Sequence, residues 1–255
     1  MQKHHQYALD KGSISARLLN LSVITCAVFI LLTITMKLQP EIFTVDPVGA
    51  KFITQLRSSG FDWAMVKITQ LGDSTSLISI SMMIIVLLLF EKLWKPALIC
   101  GVGFLGSTLT VGLLKSFVQR ARPLTDLYTG SESFSFPSGH MTNTTVVIGT
   151  LGIFLACTFQ GVWRRLTIIT TIALISCVGI SRIYLGAHWP FDIIGGLLLG
   201  GTFVMCIQLL IRIYEPSVFQ VISKRRAILM LVLAILIWGI HVATNTNLPI
   251  YNLMR

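Results

Sequence analysis

Seven stretches of this chain, near 18–38, 74–90, 96–116, 141–159, 166–180, 192–213 and 227–243, run almost without charge. Nothing else limits the fold as severely. A hydrocarbon core about 30 Å thick takes about 20 apolar residues as a helix. Inside lipid, every backbone N–H and C=O must find its partner within the protein, which leaves only helices or a closed barrel. The runs here are continuous, where barrel strands would alternate. The expected fold is therefore all-α, a polytopic membrane helix bundle. The shortest runs lie near the lower length limit, where a tilted or re-entrant course is an alternative. A hydrophobic content of 54%, only 12% charged residues and a mean hydropathy of +0.79 exclude an ordinary soluble domain.

A net charge of +10 would suggest nucleic acid in a soluble protein. Here the cations sit at span ends, so topology explains them first and no nucleic-acid partner is expected; the partner is the bilayer. With alternating spans and a cytoplasmic N-terminus, Lys3, Lys11 and Arg17, then Lys92 and Lys95, then Arg164 and Arg165, then Lys224, Arg225 and Arg226 all fall inside. Lys115, Arg120, Arg122 and Arg182 fall on the outer side, against the rule, and a bound anion would account for all four. The five cysteines, at 26, 100, 157, 177 and 206, lie in or beside spans and form no disulfide or metal pattern. Residues 1–17 are polar and basic and precede a retained anchor at 18–38. Residues 39–73 form an outer segment whose mixed stretches, 48–56 and 61–71, either lie flat at the interface or cap the bundle.

The polar interruption Ser181-Arg-Ile-Tyr-Leu-Gly-Ala-His188-Trp-Pro-Phe-Asp192 separates two apolar runs. Pro190 suits the first turn of a helix, where a missing N–H costs nothing. His188 and Asp192 stand four residues apart, one turn, so the carboxylate can hold one imidazole nitrogen and leave the other as an oriented lone pair. That is what a nucleophilic histidine requires. By itself the set is equally an interfacial polar belt.

Two further stretches weigh against that reading. Lys115 and Arg122 are seven residues apart, near two helical turns, so both cations should project from one face until Pro123 breaks the helix. Arginine adds bidentate geometry suited to phosphate oxygens. In Ser135-Phe-Pro-Ser138-Gly139-His140, Ser138 is a natural N-cap and Gly139 admits a close ligand, so N–H groups and the helix dipole converge on one spot. His140 beside that nest could deliver a proton to a leaving oxygen. If the spans alternate, all three stretches emerge on the same face.

Together they resemble the signature of the type 2 phosphatidic acid phosphatase superfamily, K-x6-R-P, P-S-G-H and S-R-x5-H-x3-D, with every position filled across roughly 60–213. The resemblance implies a six-span phosphatase core, here followed by 227–243 as a seventh span or an interfacial helix, with 214–255 supplying a cytoplasmic turn and an outer tail. It implies that His188 attacks phosphorus, that Asp192 orients it and that His140 protonates the leaving group. Lys115, Arg122 and Arg182 would hold the phosphoryl oxygens, with Ser138 and Gly139 adding hydrogen bonds. Fixed cations and N–H dipoles in a partly dry site are what a transferring phosphoryl group needs.

No metal or cofactor is expected, since the outer acids Asp126 and Glu132 are solitary whereas two-metal sites cluster their carboxylates. The expected function is a lipid phosphatase facing the outer side of the cytoplasmic membrane. The resemblance suggests undecaprenyl diphosphate, phosphatidic acid or phosphatidylglycerol phosphate as substrate, with the first favoured. Transfer of the phosphoryl group to another lipid is an alternative outcome of the same chemistry. Soluble acid phosphatases and vanadium haloperoxidases share the signature but not the spans. A non-enzymatic anion or lipid transporter would place ionisable groups near midplane instead of at one face.

Overall fold

The computed structural model describes residues 2–55, 58–123 and 133–245, and among these the chain is helical with a single isolated antiparallel bridge between Ala121 and Phe134. A long α1 (Gln2–Leu38) leads through a 3-10 turn (Pro40–Phe43) into two short helices, α2 (Val45–Thr54) and α3 (Ser59–Thr69). A second 3-10 turn (Gln70–Gly72) precedes α4 (Ser74–Phe90). Then follow α5 (Trp94–Val118), α6 (Gly139–Thr158), α7 (Gly161–Tyr184), α8 (Pro190–Tyr214), the single turn α9 (Val218–Val221) and α10 (Lys224–Thr244). Six of these are long and apolar enough to cross a membrane: the Ile14–Leu38 part of α1, α5, α6, α7, α8 and α10. At 17 residues α4 is the short one. It completes a span only together with Gly60–Gly72, across a 42° bend at Asp73. The protein is a polytopic all-α membrane bundle.

The bundle is organised around α6. Thirteen of its 20 residues are buried, and α7 and α8 pack along it, with α1 on the far side of α8. Thr142 and Thr145 return their hydroxyls to the carbonyls of Ser138 and Met141, 2.9 and 2.7 Å away, so these threonines enter the interior with their hydroxyls satisfied. The outward faces carry exposed apolar side chains, among them Leu31 of α1, Leu109 of α5, Ile169 of α7 and Ile240 of α10. Lipid tails are as apolar as these side chains, so close approach of helices must come from shape.

Shape is supplied by glycine. A Cβ on Gly196 would lie 2.9 Å from the Ser138 carbonyl oxygen, and one on Gly200 would lie 2.8 Å from that of Thr142. These obstacles are backbone and cannot swing aside. The Gly196 and Gly200 pair is thus where α8 meets the start of α6. In α5, a Cβ on Gly103 would collide with Ile207, whereas one on Gly112 would meet nothing within 4 Å.

Gly196→Ala should therefore lower the apparent melting temperature in detergent by the equivalent of about 1–3 kcal/mol, the usual cost of overpacking. Gly112→Ala should leave it unchanged or raise it, and equal effects of the two would contradict this packing.

Candidate active site

The turn between α7 and α8 is fixed by its backbone. Gly186 adopts φ +70°, its N–H donates to the Ile183 carbonyl at 2.9 Å, and the Ala187 N–H donates to that of Arg182 at 3.0 Å. This Schellman-type ending needs a left-handed residue, which glycine supplies without strain. The His188 N–H donates to the same Arg182 carbonyl at 3.2 Å, so the histidine is placed by the end of α7. Pro190 opens α8, as its missing N–H allows.

Asp192 ties this turn to everything around it. Its side chain is fully buried. Oδ2 accepts from the Trp189 N–H at 2.9 Å and from His188 Nδ1 at 3.3 Å, while Oδ1 accepts from Arg120 at 2.6 Å. Its backbone carbonyl accepts the Ser138 N–H at 3.1 Å, which brings the Pro137–His140 stretch against α8. Phe136 anchors that stretch, buried against Gly195 and stacked on Phe29 of α1 with centroids 6.2 Å apart. The loop after α5 joins through the Ser135 N–H on the Arg120 carbonyl, 2.8 Å, and Trp189 Nε1 on the Ala121 carbonyl, 2.9 Å.

Arg122 Nη1 donates to the Ala187 carbonyl at 2.7 Å and lies 3.1 Å from His188 Nε2. Arginine can only donate, so Nε2 is the acceptor and the imidazole proton sits on Nδ1, facing Asp192. Burial pushes the His188 imidazole well below its ordinary pKa, and the cations Arg122, Arg182 and Lys115 push the same way. His188 is thus a neutral ring with an oriented lone pair beside cations.

Lys115, in the last turn of α5, and Arg182, in the last turn of α7, are buried, and their charges reach both His188 and His140. Arg182 also donates to Thr69 Oγ1 at 3.2 Å. Ser138 caps α6, its Oγ accepting the Met141 N–H at 3.4 Å, and its own N–H is taken by Asp192. From this residue only the hydroxyl proton remains for a ligand. A Cβ on Gly139 would come no closer than 3.4 Å to Val111, so its conformation is not forced by crowding. The eight sequence-derived residues, Lys115, Arg122, Ser138, Gly139, His140, Arg182, His188 and Asp192, gather at one end of the bundle. Asp126 and Glu132 lie outside the described residues.

Two expectations are corrected. Lys115 and Arg122 do not share a helical stripe: α5 ends at Val118, Gln119 turns left-handed at φ +57°, and Arg122 approaches on non-helical chain. Arg120 does not await an anionic ligand. Its guanidinium joins two protein carboxylates, Asp192 and the buried Asp46 of α2, and lies between the rings of Phe43 and Trp189. Asp46 in turn accepts the Phe191 N–H at 3.0 Å, satisfying one of the orphan donors that begin α8. Asp46, and Asp73 beside His140 at 3.1 Å, were missed in the sequence. The one signal for them was the rarity of carboxylates in a chain with only 10.

Comparison with known proteins agrees with this architecture. Residues 96–218 match the model of the PAP2 superfamily. Phosphatidylglycerophosphatase B of Bacillus subtilis is 31% identical over 160 residues, 62% of this chain and 78% of that protein. The lipid A 1-phosphatase of Rhizobium etli is 37% identical over 110 residues, 38% of this chain and 42% of its own length. The crystal structure of a transmembrane PAP2-type phosphatidylglycerolphosphate phosphatase from Bacillus subtilis superposes with a TM-score of 0.65 at 28% identity, covering 73% of this chain and 94% of the other. The class is that of membrane-integral phosphoric ester hydrolases. Within it, the chain belongs to the PAP2 superfamily.

Removing Arg120 leaves two buried carboxylates without their shared cation. Arg120→Met should cost about 3–5 kcal/mol of stability. Adding Asp46→Asn should recover part of that loss, read as non-additive melting shifts in a double-mutant cycle.

Proposed function

We propose that the protein is a lipid phosphatase of the cytoplasmic membrane that removes a terminal phosphate from a membrane lipid through a phosphohistidine on His188. The observation that carries this reading is the pair of contacts on His188, Asp192 at Nδ1 and Arg122 at Nε2. A nitrogen lone pair already aimed at a phosphate-binding cation is placed to meet phosphorus when phosphoryl oxygens displace it from that guanidinium and take the donors themselves. Lys115, Arg122 and Arg182 neutralise the equatorial oxygens, with the Ser138 hydroxyl and the Gly139 N–H at the start of α6 adding to them. His140 protonates the leaving oxygen and then, as base, takes a proton from the water that releases phosphate from His188. No step requires a metal or cofactor.

A site at the ends of the spans lies at headgroup depth, so a lipid can keep its tail in the bilayer while its phosphate enters. The positive-inside rule puts the opposite ends of the spans in the cytoplasm and the site on the outer leaflet. Similarity to a phosphatidylglycerophosphatase and to a lipid A phosphatase supports a phosphorylated membrane lipid as substrate. Undecaprenyl diphosphate and phosphatidylglycerol phosphate are the two substrates the reading favours.

A panel of these lipids with phosphatidic acid, assayed for released phosphate and for labelled lipid product, should show hydrolysis that resists chelator and is inhibited by vanadate. Dependence on added magnesium would rule the mechanism out, and labelled lipid product would mark a transferase. His188→Ala should lose at least about 10⁴-fold in kcat, on the scale of removing a nucleophile; normal turnover would remove His188 from that role. Corrected for the substrate's own ionisation, kcat/KM should not fall as pH drops through about 6.5, the ordinary imidazole value. A lowered pKa keeps Nε2 unprotonated there, and an acid limb at or above that pH would contradict it.

A further inference from the structure

Asp73 stands at the bend between the second 3-10 turn and α4, in the N-cap position of α4, yet its side chain caps nothing there. An aspartate at that position ordinarily accepts an N–H of its own helix. Here the carboxylate is turned across the site. Oδ1 lies 3.1 Å from His140 Nε2, and Oδ2 lies 3.0 Å from Nε2 of His241, from the last turn of α10. Asn245 adds a donor to Oδ2 at 3.4 Å. Both imidazoles therefore converge on the two oxygens of one carboxylate. An ionised carboxylate only accepts, so each imidazole presents Nε2–H to it.

We propose that Asp73 is a positioning residue for the general acid His140, and that α10, through His241, is the brace that holds Asp73 in that role. The inference rests on the reading of His140 as the acid. With Nε2 held by Asp73, Nδ1 is the nitrogen that carries the transferable proton. As the bond from His188 Nε2 to phosphorus forms, the phosphorus–oxygen electron pair leaves with the lipid oxygen, which takes the proton from His140 Nδ1. The charges facing His140 are Asp73 from the bend, Arg182 from α7 and Lys115 from α5, with His188 opposite. Asp73 is the one anion in that set, and it holds the ring by Nε2.

Packing alone does not account for the arrangement. The end of α10 is already fastened by Lys67 Nζ on the Val242 carbonyl, 2.8 Å, and Gln70 Nε2 on that of Asn245, 3.2 Å. Both Asp73 and His241 lie outside residues 96–218, the part matched by the superfamily model. This chain therefore supports its acid from segments beyond the matched core.

The test compares an alkyl phosphate, whose leaving oxygen needs a proton, with 4-nitrophenyl phosphate, whose leaving group does not, on the full-length protein in detergent. His140→Asn should lose about 10²–10⁴-fold in kcat/KM on the alkyl ester, the range of general acid catalysis, and far less on the aryl ester. Asp73→Asn should show the same asymmetry at about tenfold or more, and His241→Gln at a few-fold. Equal losses on both esters in Asp73→Asn, while His140→Asn keeps its asymmetry, would overturn the proposal and leave the acid intact. Symmetry in His140→Asn itself would overturn the acid and the proposal with it. Should Asp73→Asn not elute as a folded protein, the decision passes to His241→Gln, where equal losses on the two esters, or none, count against the brace.

Discussion

A carboxylate cannot be buried without donors, and Asp192 is completely buried. Most of the site follows from how that demand is met. Its two oxygens take a backbone N–H from Trp189, an imidazole N–H from His188 and a guanidinium from Arg120, and its carbonyl takes the Ser138 N–H. Those donors come from all three sequence motifs, so the motifs meet because one buried charge needs each of them. The demand then propagates. Arg120 is itself mostly buried, and its second terminal nitrogen is answered by Asp46. Asp46 also answers the N–H of Phe191, closing the circuit at the start of the helix that carries Asp192.

Lipid sharpens the constraint. Water at a soluble surface would answer any polar group left over, but a group buried among spanning helices must be answered from the chain itself. This accounts for the dense network beside otherwise bare apolar helices. It also explains why glycine appears where it does: Gly196 and Gly200 let α8 approach α6 closely enough for Ser138 to reach the Asp192 carbonyl. Packing at the middle of the bundle and hydrogen bonding at its end are one geometric solution.

Much of this was legible in the residues. The uncharged runs foretold the helices because lipid permits little else, and Ser138 and Pro190 announced a cap and a helix start through local rules. What was not legible depended on distance or on backbone handedness. Asp46 meets Arg120 across 74 positions and Asp73 meets His140 across 67, separations at which no periodicity operates. Arg120 was grouped with the anion-binding cations because charge alone cannot distinguish a cation facing a ligand from one facing a carboxylate. The helical stripe expected for Lys115 and Arg122 failed at Gln119, a residue type that seldom signals a left-handed turn, so the helix ended at Val118, before the proline expected to stop it.

The two histidines show how differently charges can be set around one kind of side chain. His188 has an anion at Nδ1 and a cation at Nε2, a polarity that holds a neutral ring with its lone pair toward the cationic pocket. His140 has its anion at Nε2 and meets the cations Arg182 and Lys115 through space. In the proposed mechanism that contact keeps Nε2–H on Asp73 and leaves Nδ1 to meet the leaving oxygen. In the proposed mechanism the two rings differ through their neighbours, for the imidazoles are chemically identical and what differs is the nitrogen that meets a carboxylate. The proposed acid and the proposed nucleophile therefore depend on Asp73 and on the Asp192–Arg122 pair as much as on the rings they hold.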